Sequence, residues 1–271
     1  MNLNVTIQGQ GYPILCLHGH PGSSKTMSVF TDVLSQSYQT IAPDLRGYGK
    51  SSARGNFQME DHLHDLQRLL DCYQIDRCLL LGWSLGGILS LELALQDPSR
   101  FSGLVMVASA AKPRGSHPSI SKQDLFYTGV SGIINYFKPG WLWNINNLGK
   151  KSLFRYLLAQ QTPEAYQYLG KQGTAAYLQM SSAADRALSD AIRNGYNRLP
   201  DLERITVPCL VLAGEGDRHI TAQSSAETAR YLPHARYICY PNTAHLFPWE
   251  IPDLVIKDIQ QWLEVTKVVS C

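Results

Sequence analysis

The chain reads as an α/β protein: a mostly parallel central sheet flanked by helices, with one long helical insertion. Three observations predict this. Short apolar runs of strand length alternate with longer amphipathic stretches through both outer parts of the sequence. One such run, Arg77–Leu81, passes through Gly82-Trp83-Ser84-Leu85-Gly86 into a helical stretch, Gly87–Leu95, that Pro98 would end. From about Ala111 to Leu199 the alternation lapses, and the chain becomes helical and rich in aromatic residues. The reading therefore divides it into a first core part, 1–110, an insertion, 111–199, and a second core part, 200–271.

Each element has its own signal. Leu3–Ile7 alternates like an edge strand, and Gly9-Gln10-Gly11 turns the chain into a buried strand that ends near His18. A helix near Lys25–Gln36 and a strand near Gln39–Pro43 follow. Gln58–Tyr73 carries Met59, Leu63, Leu66, Leu69 and Leu70 on one helical face. His62 and His64 lie on the same helix and are expected to face solvent as non-ligands. Gly103–Ala108 is a further buried strand. Beyond the insertion, Val207–Leu212 is a strand that runs into Ala213-Gly214-Glu215-Gly216-Asp217. Ala235–Tyr240 is another, leading into the loop Pro241-Asn242-Thr243-Ala244-His245, and the helix Asp253–Val265 closes the sheet.

Composition narrows the function classes. With 271 residues, 44% of them hydrophobic, the chain can bury a substantial core. No basic-plus-apolar opening stretch predicts a signal peptide, and no apolar run is long enough to predict a membrane span. Cys16, Cys78, Cys209 and Cys239 fall in expected core strands. The six cysteines have neither zinc-site nor disulfide spacing, so reduced thiols in a cytoplasmic protein are expected. The net charge of +2 is unevenly spread: residues 112–198 hold 11 basic and 4 acidic side chains, and acidic residues outnumber basic ones on both flanks. That asymmetry predicts a positive field over the insertion. No nucleic-acid motif accompanies it, so nucleic acid is not an expected partner.

A Gly-x-Ser-x-Gly turn between a strand and a helix holds its serine in a strained conformation at the sheet edge, with a helix N-terminus behind it. Side chains at Gly82 or Gly86 would strike the neighbouring strand or helix. A serine hydroxyl is a poor nucleophile at neutral pH and needs a base, itself oriented by a carboxylate. Asp217 and His245 follow in the order serine, acid, histidine, each just past the C-terminal end of a strand, as Ser84 is. Early in the chain, His18-Gly19-His20-Pro21-Gly22 forms a turn able to aim the His20 N–H at a reacting carbonyl oxygen, with the Leu85 N–H as second donor. His18 is expected to brace this turn through its ring.

These stretches, together with Asp44-Leu45-Arg46-Gly47-Tyr48-Gly49-Lys50-Ser51 and His245-Leu246-Phe247-Pro248-Trp249-Glu250-Ile251-Pro252, resemble the α/β-hydrolase fold family over most of the chain outside its middle third. The resemblance implies the α/β-hydrolase fold, with a helical cap inserted after the sixth strand and seated over the sheet edge. Serine at the nucleophile position, where the dehalogenase and epoxide hydrolase branches carry aspartate, points to the serine esterase branch. Ala244 stands where glycine is common. Under such a cap, Trp83, Phe137, Trp141, Trp143 and Leu246 are expected to line an apolar substrate pocket.

The expected activity is cleavage of a small-molecule carboxylic ester with an apolar acyl part. Ser84 is the nucleophile, His245 the base, Asp217 its orienting acid, and His20 and Leu85 form the oxyanion hole, with no metal or organic cofactor. Gly82–Gly87 and Val107-Ala108-Ser109 are similar to esterases that demethylate pimeloyl groups on acyl carrier protein, so an acidic carrier is a candidate partner of the basic insertion. Hydrolysis of a carbon–carbon bond in an anionic dienoate-type acid would use the same groups. A ligand receptor on a retained hydrolase fold is the non-enzymatic alternative.

Overall fold

A computed structural model describes residues 1–53 and 55–269 of the chain. Its sheet has seven strands: β1 (Val5–Gln8), β2 (Pro13–Leu17), β3 (Gln39–Pro43), β4 (Cys78–Trp83), β5 (Phe101–Val107), β6 (Cys209–Gly214) and β7 (Ala235–Tyr240), in the order β1-β3-β2-β4-β5-β6-β7. Only β1 runs antiparallel, against β3; every other pair is parallel. The central strands β4, β5 and β6 are buried at every position, as a parallel sheet covered on both faces requires.

The core-part helices are α1 (Ser28–Leu34), α2 (Met59–Cys72) and α3 (Leu85–Gln96). Alternation along the strands sends Cys16, Leu81, Val107 and Leu212 to one face, in one apolar cluster with Phe30 and Leu34 of α1. Leu15, Leu80, Met106 and Val211 go to the other face, against Leu66 and Leu70 of α2 and Leu89 and Leu93 of α3. The insertion holds α4 (Lys122–Phe137), α5 (Leu142–Asn147), α6 (Phe154–Leu157), α7 (Pro163–Tyr168), α8 (Thr174–Gln179) and α9 (Ser182–Arg193). After it come α10 (Ala222–Tyr231), the single turn α11 (Phe247–Glu250) and the closing helix α12 (Pro252–Thr266).

Three expectations need correction. The insertion follows the fifth strand, not the sixth: among the described residues the chain enters the sheet through one antiparallel strand, β1, and only four more precede residue 111. His62 is buried, not solvent-facing; its ring packs edge-on against Phe57 and tilted over Tyr48. It sits three residues after Met59 and four before Leu66, inside the apolar stripe, so helical period overrode side-chain polarity. Cys239 is exposed near the end of β7, the edge strand of the sheet; Cys16, Cys78 and Cys209 are buried as expected. Cys271 lies outside the described residues.

The insertion leaves and re-enters the core at neighbouring points. The Arg198 N–H donates to the Ala111 carbonyl at 2.8 Å, and the Arg198 guanidinium grips Glu92 of α3 with two bonds of 2.7 and 3.0 Å. It is also bonded to loops at the C-terminal edge of the sheet. Ser181 N–H donates to the Gly47 carbonyl, Ser116 N–H to that of Arg218, and Leu246 N–H to that of Leu157 in α6. The loops after β3, β6 and β7 are thereby tied to one helical layer.

Candidate active site

Ser84 stands between β4 and α3 with φ +52° and ψ −114°. Such a conformation costs on the order of 1–3 kcal/mol and persists only where the surroundings dictate it. Here they do. A Cβ on Gly86 would overlap the Leu17 carbonyl of β2, and one on Gly82 would overlap the Gly86 carbonyl. The Ser84 N–H donates to the Val107 carbonyl at 2.8 Å, and the Ser109 hydroxyl donates to the Ser84 carbonyl at 2.9 Å. The side chain is thus held at the sheet edge.

Asp217 and His245 reach the same place from the ends of β6 and β7. The His245 Nε2 lies 3.2 Å from Ser84 Oγ, and its Nδ1 lies 2.7 Å from Asp217 Oδ2. A neutral imidazole that donates Nδ1–H to the carboxylate leaves Nε2 as an acceptor for the serine hydroxyl. The second carboxylate oxygen, Oδ1, accepts the His219 N–H at 2.7 Å and the Ile220 N–H at 3.1 Å. Asp217 and His245 are both buried. Every carboxylate oxygen therefore has partners, and the imidazole has one orientation available to it.

The turn after β2 abuts the serine. A Cβ on Gly19 would lie 3.1 Å from Ser84 Cβ, so the backbone itself can approach there. His18 is buried and neutral. Its Nδ1–H donates to the Gly19 carbonyl at 2.8 Å, its Nε2 accepts the Leu45 N–H at 3.0 Å, and burial pushes its pKa down to about 4. It is a brace between two loops, as the sequence suggested. The His20 ring accepts from the Tyr48 hydroxyl at 2.8 Å and has Nε2 3.3 Å from Asp185 of α9. Burial lowers its pKa against the pull of Asp185. The His20 N–H has no hydrogen-bond partner among the described residues, and the Leu85 N–H opens α3, where no intrahelical carbonyl reaches it.

The residues expected to line a pocket are not gathered there. Trp83 is only 3% exposed and packs edge-on between Phe30 and Trp249 in the core. Phe137 is 81% exposed, and Trp141 and Trp143 stack on each other at 5.1 Å on the surface of the insertion. These three belong to the α4–α5 hairpin, which packs on other parts of the insertion. Leu246 is half-buried and directly follows His245, as Trp83 directly precedes Ser84.

Two residues next to Asp217 and His245 carried no assignment in the sequence reading. His219 stacks on His245, with ring centroids 4.8 Å apart and planes at 18°, and His117 meets the His219 ring edge-on at 4.2 Å. Burial, reinforced by His245 and His117, pushes the His219 pKa down to about 2, so it stays neutral against the His245 ring. Glu250 of α11 is buried and accepts the Ala244 N–H at 2.7 Å and the Gln160 N–H, joining the histidine loop to the insertion. Burial raises its pKa despite those bonds. Glu250 lies in the quoted His245–Pro252 stretch; only its burial distinguishes it, and no local pattern announces that.

A family model described as the alpha/beta hydrolase fold matches residues 12–132. The chain is 26% identical over 267 residues to a pimeloyl-[acyl-carrier protein] methyl ester esterase of Legionella pneumophila (strain Corby), covering 97% of this chain and all of that one. It is also 26% identical over 261 residues to an uncharacterized hydrolase, YugF, of Bacillus subtilis (strain 168), covering 93% of this chain and 89% of that one. A thermophilic esterase from Thermogutta terrifontis superposes with a TM-score of 0.71 at 23% identity, over 99% of this chain and 94% of that one. With the strand order and the strained serine turn described above, these likenesses show that the chain has the α/β-hydrolase fold.

Proposed function

We propose that the protein is a serine hydrolase that cleaves carboxylic esters through an acyl-enzyme. The observation that carries this reading is the hydrogen-bonded chain from Ser84 Oγ through His245 to Asp217, with distances of 3.2 and 2.7 Å. In the first half-reaction Ser84 Oγ attacks the ester carbonyl while His245 Nε2 takes its proton. Asp217 holds the imidazolium through Nδ1–H. The carbonyl oxygen becomes an oxyanion and receives the His20 and Leu85 amides; one such donor contributes about 3–4 kcal/mol. Collapse of the tetrahedral species expels the alcohol, protonated by His245. Water, deprotonated by the same nitrogen, then releases the acid and restores Ser84. The groups named need no metal or cofactor for these steps, and a cytoplasmic setting belongs to the same reading.

The Ser84→Ala variant tests it. Turnover of p-nitrophenyl esters is expected to fall on the order of 10⁴–10⁶-fold with an unchanged thermal melt. Retained turnover overturns the assignment.

A second reading concerns the acyl donor. Relatives aligned along almost the whole chain include methyl ester esterases named for a pimeloyl group on acyl carrier protein. The insertion here carries 11 basic and 4 acidic residues between 112 and 198. An ester displayed on an acidic carrier would be drawn to that surface, and its kcat/KM would fall steeply with salt. Equal salt response for a carrier-bound and a free methyl ester would refute this.

A further inference from the structure

The helix α4 is amphipathic in the inverted sense. The residues it turns inward include Ser131 and Asn135, both buried. Asn135 donates to the Tyr166 carbonyl at 2.8 Å and accepts the Gly140 N–H at 3.0 Å, while Asn144 of α5 donates to the Ser131 carbonyl at 3.0 Å. The residues it turns outward are Leu125, Phe126, Ile133, Tyr136 and Phe137. Four residues past its end the apolar surface continues through Trp141, Leu142 and Trp143, all exposed. Soluble helices normally bury the apolar side and wet the polar one. Here polar groups fasten the helix to its neighbours and leave large side chains in water, an arrangement that marks a docking surface.

Charge identifies what docks. Lys122 opens α4, Lys138 follows it with its ammonium 4.2 Å from the Trp141 ring centroid, and Lys150 and Lys151 follow α5. Among the described residues none of these four lysines meets a carboxylate, and Asp124, the one acid between residues 112 and 151, is paired with Arg155. Apolar and aromatic side chains between flanking lysines fit an interface of hydrocarbon beneath anionic headgroups, with the tryptophans at headgroup level. A second copy of the chain would set the lysines of both copies face to face. An acidic carrier would satisfy the lysines and leave the apolar side chains wet.

We propose that the α4–α5 hairpin seats the protein on an anionic lipid bilayer, lying on the surface without crossing it. No helix among the described residues is long and apolar enough to cross one. The inference does not depend on the hydrolase reading, since binding is measured without turnover.

The tryptophans supply the readout: of five in the chain, Trp83, Trp249 and Trp262 are buried, and only Trp141 and Trp143 are exposed. Vesicles of phosphatidylcholine containing phosphatidylglycerol should sediment the full chain and shift its tryptophan emission to the blue, less so as salt rises. Phosphatidylcholine alone should bind at least about tenfold more weakly. The double variant Phe126→Glu/Ile133→Glu should lose binding by about tenfold or more while keeping its thermal melt. If that variant instead fails to fold, Lys150→Glu/Lys151→Glu, altered only at exposed side chains, must show the loss. No association with either vesicle, undiminished association of the variants, or a dimer in solution that Phe126→Glu/Ile133→Glu dissolves would each overturn the proposal. So would binding to an acidic carrier protein with no binding to vesicles.

Discussion

The sheet edge and the insertion solve opposite problems. At the edge, Ser84, Asp217 and His245 are fixed by backbone: glycines with no room for a Cβ, amides that saturate the carboxylate, and strand ends that converge. In the α4–α5 hairpin, position is set by side-chain amides on buried carbonyls, and the apolar side chains are left outside. The first arrangement restricts which residues the sequence can hold at fixed places. The second keeps the helical period but inverts its sense, so polarity no longer tells which face is buried.

The difference can be broken from the edge side first. Gly86→Ala places a methyl group onto the Leu17 carbonyl of a central strand, and backbone there cannot yield. The expected loss is several kcal/mol, at the upper end for single substitutions, read as a collapse of the denaturation midpoint. Normal stability would mean that the turn is far softer than the contacts imply.

Next in size is acid sensitivity. Burial pushes the pKa of His18 and of His62 down to about 4, against 6.5 for an ordinary histidine. Between those values the unfolded chain binds more protons than the folded one, so stability rises with pH across this window and falls as the solution is acidified. Each histidine contributes about 2 kcal/mol of loss between pH 7 and pH 5. Thermal melts over that range should show the fall. Among the described residues both ring nitrogens of His62 lack a hydrogen-bond partner. His62→Leu should therefore flatten the pH profile and hold or raise the melting temperature at pH 7; a melting temperature lowered by several degrees would contradict this.

Glu250→Gln sharpens the comparison at the seam between the two regions. A Gln carbonyl oxygen can accept only one of the Ala244 and Gln160 amides as the carboxylate does now. Stability should fall by about 1–3 kcal/mol. Ester turnover should fall further than stability explains, through kcat and not KM, because the histidine loop loosens. The smallest effect belongs to the exposed hairpin: Phe137→Ser should move the melting temperature by no more than a degree or two, within about 0.5 kcal/mol. A larger loss would show that Phe137 is packed and not presented.

How far the sequence could be read follows the same division. The bounds of β3 and the convergence of three strand ends were legible because strand periodicity, glycine placement and chain order are local signals that tertiary packing does not overrule. His62 was misread because its polarity was weighed above its place in the helical stripe. Cys239 was misread because an apolar run does not reveal which strand is an edge. Trp141, Trp143 and Phe137 were expected around a pocket because a cap turns one face toward the site, and the sequence does not show that this hairpin turns its rings to solvent instead. His219 and Glu250 left no local trace, since their roles come from neighbours far along the chain.

The most direct test of the proposed triad is covalent. A fluorophosphonate probe should label one peptide, the one carrying Ser84, and the labelling rate should drop on the order of 10³-fold or more in His245→Ala, where the hydroxyl has lost its base. Labelling at another residue, or an unchanged rate in that variant, would contradict the account.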